Sequence, residues 1–260
     1  MTGSLLAVRN LSKSYGGVQA VRDVSFALKS GELLALIGPN GAGKTTCFNM
    51  LNGQVRADSG TIRIVGRDTT GLDPRRVWKM GVGRTFQITA TFASMSVREN
   101  VQVGLLARDG GLRRMAGFAG RAYRNEADAL LALVGMREAA DRPSGELAYG
   151  DLKRLELAVA LSNAPALLLM DEPTAGMAPA DRIELMRLAA DIARERRIGI
   201  LFTEHDMDVV FEHADRVMVL DRGRIIAEGS PDTVRRDPNV RAVYLGEGHL
   251  YHSASAGAAA

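Results

Sequence analysis

The sequence has little cysteine, little lysine and no long apolar run. One cysteine in 260 residues, Cys47, excludes an intrachain disulfide framework and suits a reducing compartment. Cys47 reads as a small packed residue ahead of a reactive thiol. No apolar stretch approaches the roughly 18 residues needed to span a bilayer. Met1-Thr2-Gly3-Ser4 does not open a basic region followed by an extended apolar segment, so a soluble or peripheral protein without a signal peptide is expected. Only five lysines occur beside 28 arginines, and the formal net charge is +3. That arginine surplus could serve a membrane surface or nucleic acid, but a solvated arginine surface explains it more simply. Hydrophobic residues make up 46% and charged residues 24%, enough for one substantial core or two small ones without metal or disulfides.

Scarce lysine makes the placement of Lys44 informative. Gly38-Pro39-Asn40-Gly41-Ala42-Gly43-Lys44-Thr45 fits G-x-x-x-x-G-K-[ST], in which glycines let backbone N–H groups close around phosphates. Lys44 would reach the terminal phosphates and the Thr45 hydroxyl would help hold Mg²⁺. Before it, Glu32 to Ile37 suits a buried strand, and Thr46 to Leu51 can continue as a helix whose N-terminus favours anions.

Short apolar, β-prone runs recur at Leu5–Val8, Val24–Leu28, Leu33–Ile37, Thr61–Val65, Ala166–Met170, Ile198–Thr203 and Val217–Leu220. Helical spacing separates the later ones: Leu185, Leu188, Ala189 and Ile192, then Met207, Val210, Phe211 and Ala214. This alternation predicts a largely parallel sheet covered by helices. Residues 91–145 lack strand-like runs and carry alanine, leucine and arginine at helical spacing, broken at Asp109-Gly110-Gly111 and Arg142-Pro143. They are expected to form an inserted helical subdomain within a core of residues 1–90 and 146–250. Asp221-Arg222-Gly223-Arg224 predicts a hairpin turn, and residues 251–260 a frayed low-complexity tail.

A phosphate loop does not itself activate water, so hydrolysis needs a metal-associated carboxylate and a base beyond the γ-phosphate. Asp171-Glu172 follows the buried run Leu167–Met170, at the strand end where open α/β sheets place ligands. Asp171 suits Mg²⁺ or its water; Glu172 can polarise the attacking water.

These motifs, with Leu147-Ala148-Tyr149-Gly150-Asp151 between them, resemble the ABC-type ATPases over nearly the whole chain and in the expected order. The resemblance implies an α/β fold: a P-loop NTPase core of ABC ATPase type with an N-terminal antiparallel β part and an inserted α-helical subdomain. It implies ATP and Mg²⁺ as cofactors, bound by Gly38 to Thr46, with Thr45, Gln87 and Asp171 around the metal. Glu172 and His205 take the catalytic roles, His205 at the γ-phosphate. Tyr15 matches the aromatic that stacks on adenine. The segment Leu147 to Asp151 corresponds to the L-S-G-G-Q signature, whose helix start binds the γ-phosphate of a nucleotide held by another subunit. Here Ala148 stands for serine, Tyr149 for the first glycine and Asp151 for glutamine, and Ala148 can donate no hydroxyl hydrogen bond. Ala175-Gly176-Met177-Ala178 occupies the loop that crosses between subunits, with Met177 and Ala178 replacing the familiar leucine and aspartate or asparagine.

Gly83 to Gln87, Leu147 to Gly150 and the ending Asp237 to Gly246 look like the ATP-binding subunits of branched-chain or hydrophobic amino-acid importers and their urea and amide relatives. By that resemblance the chain sits on the cytoplasmic face of the inner membrane. Its partners would be a second ABC ATPase, paralogue or self, two multipass permeases and, indirectly, an extracytoplasmic binding protein, with no nucleic acid. A lipid or polysaccharide exporter ATPase is an alternative that differs chiefly in its permease. A soluble ATPase on nucleic acid or ribosomes is another, suggested by Arg113, Arg114, Arg121 and Arg124 but opposed by the single phosphate loop.

Overall fold

The structure is a computed structural model that describes residues 4–85, 91–110 and 123–245. Gln87, three of the four arginines just named (Arg113, Arg114 and Arg121) and the 251–260 tail lie outside the described residues.

Two sheets form. In the first, β2 (Val18–Leu28), β1 (Leu6–Tyr15), β4 (Ser59–Ile64) and β5 (Arg67–Asp68) lie in that order, every pair antiparallel. The second runs β10 (Arg224–Gly229), β9 (Arg216–Asp221), β3 (Leu33–Ile37), β8 (Gly199–Thr203), β7 (Leu167–Asp171) and β6 (Val82–Thr85), parallel except for the edge strand β10. Central strands read as continuous apolar runs because both faces are covered. Along β3 the two faces enter different cores. Leu33, Ala35 and Ile37 pack with Ile200, Phe202 and the helices α3 (Val97–Arg108), α4 (Arg124–Leu133), α5 (Tyr149–Leu161), α6 (Pro179–Arg196) and α7 (Met207–His213). Leu34 and Leu36 pack with Leu6, Phe26, Phe48 and Ile62, from the antiparallel sheet and α1 (Lys44–Leu51). The parallel sheet is thus the middle layer, and its strand ends are held from both sides.

The expected strands form, with boundaries that local chemistry shifts. Leu5–Val8 is the start of a strand reaching Tyr15, and Val24–Leu28 the end of one starting at Val18. Register shifts follow Val8 and Leu11, and Asn10 and Asp23 take left-handed backbones at φ 49° and 52° with their side chains bonded at 2.6 Å. These bulges break the alternation that sequence reading relies on. Val65 sits at φ 49° and turns out of the sheet, so β4 ends at Ile64.

Between the sheets' strands lie α2 (Pro74–Lys79) and the helices of the 91–145 segment. Ser96 starts α3 with a capping box: its hydroxyl accepts from the Glu99 N–H at 3.2 Å, and the Glu99 carboxylate accepts from the Ser96 N–H at 2.8 Å. Arg98 then joins α3 to Asp128 of α4 at 2.5 Å and to Asp141. At the other end, α8 (Pro231–Arg236) and α9 (Pro238–Leu245) pack beside β9 and β10.

Candidate functional site

The phosphate loop leaves the C-terminal end of β3 and enters α1. Gly38, Gly41 and Gly43 have φ of 152°, 78° and 107°, backbone that L side chains adopt only under strain. Space forbids side chains as well. A Cβ on Gly38 would lie 2.1 Å from the Leu220 carbonyl oxygen, and one on Gly43 2.2 Å from that of Ala20. The β9–β10 turn braces the loop, its Gly223 N–H donating to Ala42 O at 2.9 Å. Lys44 is buried, and its ammonium donates to Gly38 O at 2.6 Å and Pro39 O at 3.1 Å, at the centre of the curl. Asn40, Gly41 and Thr45 are exposed, Pro39 and Thr46 half-buried and Ala42 buried. Behind them Cys47 is fully buried and its thiol is pushed up to about 12 by desolvation, as befits a packing residue. Tyr15 stands 48% exposed at the β1–β2 turn, five positions before Ala20 of the loop's floor, with Lys13 Nζ 5.4 Å from its ring centroid.

The candidate acid–base residues Glu172 and His205 follow adjacent strands. β3, β8 and β7 are neighbours, so the phosphate loop, Asp171 and His205 all lie at C-terminal strand ends on one rim. Asp171 Oδ1 accepts from the Thr203 hydroxyl at 2.7 Å, and Oδ2 meets Arg84 Nη2 at 3.4 Å. Arg84 also donates through Nη1 to Gln54 at 2.9 Å and Asn49 at 3.1 Å. Glu172 turns to φ 49°, held by its N–H donating to Thr203 at 3.1 Å. A left-handed non-glycine residue costs about 1 to 2 kcal/mol and marks a place where geometry outranks local stability. The turn separates the two carboxylates' partners: Glu172 Oε1 lies 2.8 Å from His205 Nε2, away from the Asp171 contacts. His205 is half exposed.

Leu147 is buried and anchors the signature; Ala148 caps α5 without a side-chain hydrogen bond, and Asp151 lies in the first turn. Gly150 is half-buried and Tyr149 exposed. The Tyr149 hydroxyl reaches Ala175 O at 3.0 Å, so the signature meets the 175–178 loop, in which Met177 is buried while Gly176 and Ala178 are exposed.

Sequence reasoning missed the side chains that hold this rim. Thr203 touches both Asp171 and the Glu172 backbone, and buried Glu204 accepts from the Thr174 N–H at 2.9 Å, the Thr174 hydroxyl at 2.6 Å and the His205 N–H at 3.2 Å. Desolvation holds the Glu204 carboxyl above the usual carboxylate range, opposed by those hydrogen bonds. Adjacency to His205 was the available signal for Glu204, and Thr203 stands two residues before it. Arg84 had none, since its contact with Asp171 depends on β6 pairing with β7.

The arrangement fits a nucleoside triphosphate with Mg²⁺. The glycine cradle and Lys44 suit anionic phosphate oxygens, and Thr45 and Asp171 offer the hard oxygens Mg²⁺ prefers. Among the described residues no group of three His, Cys, Asp or Glu could cage a metal. Mg²⁺ needs none, because it takes one or two protein oxygens and completes its shell with phosphate and water.

Comparison with known proteins agrees. Residues 21–175 match the family described as ABC transporter, and residues 224–250 the one described as branched-chain amino acid ATP-binding cassette transporter. The high-affinity branched-chain amino acid transport ATP-binding protein LivG of Salmonella typhimurium is 40% identical, over 95% of this chain and 100% of its own length. The lipopolysaccharide export system ATP-binding protein LptB of Haemophilus influenzae is 35% identical, over 94% and 98%. An ATP-binding cassette of an ABC transporter, solved in its ADP conformation, superposes with a TM-score of 0.85 at 30% identity, over 94% of this chain and all of that one. Those matches fall on the elements that carry the phosphate loop, the carboxylate pair and the signature, and the chain belongs to the ATP-hydrolysing subunits of the ABC transporter family.

Proposed function

We propose that this chain powers import of branched-chain or related hydrophobic amino acids, or of the urea or amide substrates of related importers. The observation that carries the substrate class is the C-terminal match at residues 224–250, joined to the end-to-end likeness to LivG. The likeness to LptB keeps lipid or polysaccharide export as a second reading.

In this proposal Lys44, the glycine N–H groups and Thr46 bind the phosphates, and Tyr15 stacks on the adenine. Thr45, Asp171 and Gln87 would hold Mg²⁺, which would supply positive charge against the phosphates. Glu172 accepts a proton from the attacking water, and His205, 2.8 Å from it, orients that water and contacts the γ-phosphate. Leu147 to Asp151 and Ala175 to Ala178 face a second ATPase subunit, so each site is composite. ATP contacts favour the closed pair, and hydrolysis removes that differential affinity.

The helical subdomain expected over residues 91–145, of which 91–110 and 123–145 are described, is taken to carry the permease contact. An open groove of about 460 Å³, lined by Trp78, Val82, Phe92, Val103 and Val159 among others, supports this. Among the described residues no helix is long and apolar enough to cross a membrane. What supports a place on the cytoplasmic face, against two permeases supplied by a binding protein, is the likeness to LivG.

Uptake of radiolabelled leucine, isoleucine and valine by cells deleted for this chain tests the reading. Uptake should be lost, return with the wild-type chain and stay absent with Glu172→Gln. Unchanged uptake of all three would remove the substrate assignment.

A further inference from the structure

Tyr149 opens α5, and besides its ring contact with Lys153 of the same helix, whose Nζ lies 5.5 Å from the ring centroid, its side chain reaches outside that helix. Its hydroxyl donates to Ala175 O at 3.0 Å, and its ring lies against Gly176, where an added Cβ would meet Cε1 at 3.4 Å. Gly176 is left-handed at φ 79°. Gly150 rests over the same loop, a Cβ there falling 3.8 Å from Met177 Cε. The loop is also tied on its other flank. Arg182 donates from Nε to Met177 O at 2.8 Å and from Nη1 to Asp206 at 2.7 Å, while Thr174 is bonded to Glu204. The start of α5, the loop after Glu172 and the His205 corner are therefore one hydrogen-bonded series within a single subunit.

We propose that Tyr149 is a positioning residue that fixes the 175–178 loop to the start of α5, so that the two elements facing the partner subunit's nucleotide move as one body. The inference rests on the composite-site reading above. Neither glycine nor alanine at position 149 could make the hydroxyl bond or cover Gly176. Tyr149 is 42% exposed, so shortening it removes little buried area and a functional effect is separable from unfolding.

The test uses the full-length chain in its transporter assembly. Tyr149→Phe keeps the ring and loses the hydroxyl; Tyr149→Gly loses both; Gly176→Ala strains the loop directly. ATP affinity of the isolated chain should be unchanged in both Tyr149 variants, because its own phosphate loop is intact. kcat should fall about five-fold in Tyr149→Phe, the loss of one neutral hydrogen bond, and further in Tyr149→Gly. In a Glu172→Gln background, ATP-driven association followed by light scattering should weaken in the same order. The Tyr149→Gly, Gly176→Ala double variant should be no worse than the poorer single one, since both act on one loop. Wild-type kcat and association in both Tyr149 variants, or strictly additive losses in the double, would overturn the role of Tyr149 alone. A wild-type assembly that neither hydrolyses ATP nor associates with it would overturn the composite-site reading and this inference together.

Discussion

Glu204 is the residue on which two strand-end loops depend. It is 4% exposed, accepts from the Thr174 and His205 backbones, and sits next to His205 and the half-buried Asp206. Because burial raises its folded pKa above the ordinary 4.5, its titration contributes stability that is fully present below pH 4.5 and is lost as pH rises through the folded value. Glu204→Gln removes that titration, although its amide must face the His205 N–H and so carries a fixed penalty. The stability difference between wild type and Glu204→Gln should therefore shrink as pH rises from 4.5 to 7 in urea melts. A difference that is constant or widens over that interval would show that hydrogen bonding, not desolvation, sets this carboxyl. At this scale the sequence is partly legible. The phosphate-loop pattern marks Lys44 and a place after a buried run marks Asp171 and Glu172 as candidates, His205 is a candidate through the resemblance, and Thr203 and Arg84 act through neighbours that only strand pairing supplies.

Elements were legible where one physical rule acted alone. Leu33–Ile37 reads as a buried strand because both its faces enter cores, and α5 starts where the signature's helix was expected. Prediction fell short where a left-handed residue interrupted the pattern, as at Asn10 and Asp23 in the β1–β2 pair. The helix α3 tests how far local chemistry carries an element. Its capping box satisfies N–H groups that would otherwise lack partners at the helix start, and Arg98 ties it to α4. Ser96→Ala should cost about 1 kcal/mol in a urea melt with an unchanged m-value. No change in midpoint would mean that packing against α4 and α5, not the cap, fixes this end.

For the whole molecule, the layered fold brings three parallel strand ends to one rim and places a groove on the far side of β6. Arg84 borders that groove and touches Asp171, so one residue spans the distance between the proposed permease contact and the proposed metal site. The proposed composite character of the site rests on the signature's resemblance, because a single chain can present only half of such a site. The central claim is that Glu172 is the base of an ATPase built on Lys44 and Asp171. It is tested most directly by measuring ATP binding and ATP turnover side by side in the assembled transporter carrying Glu172→Gln, with Lys44→Ala as the comparison. The account predicts that Glu172→Gln binds ATP as the wild type does while turnover falls about 100-fold or more, and that Lys44→Ala weakens both. Turnover unchanged in Glu172→Gln would contradict it.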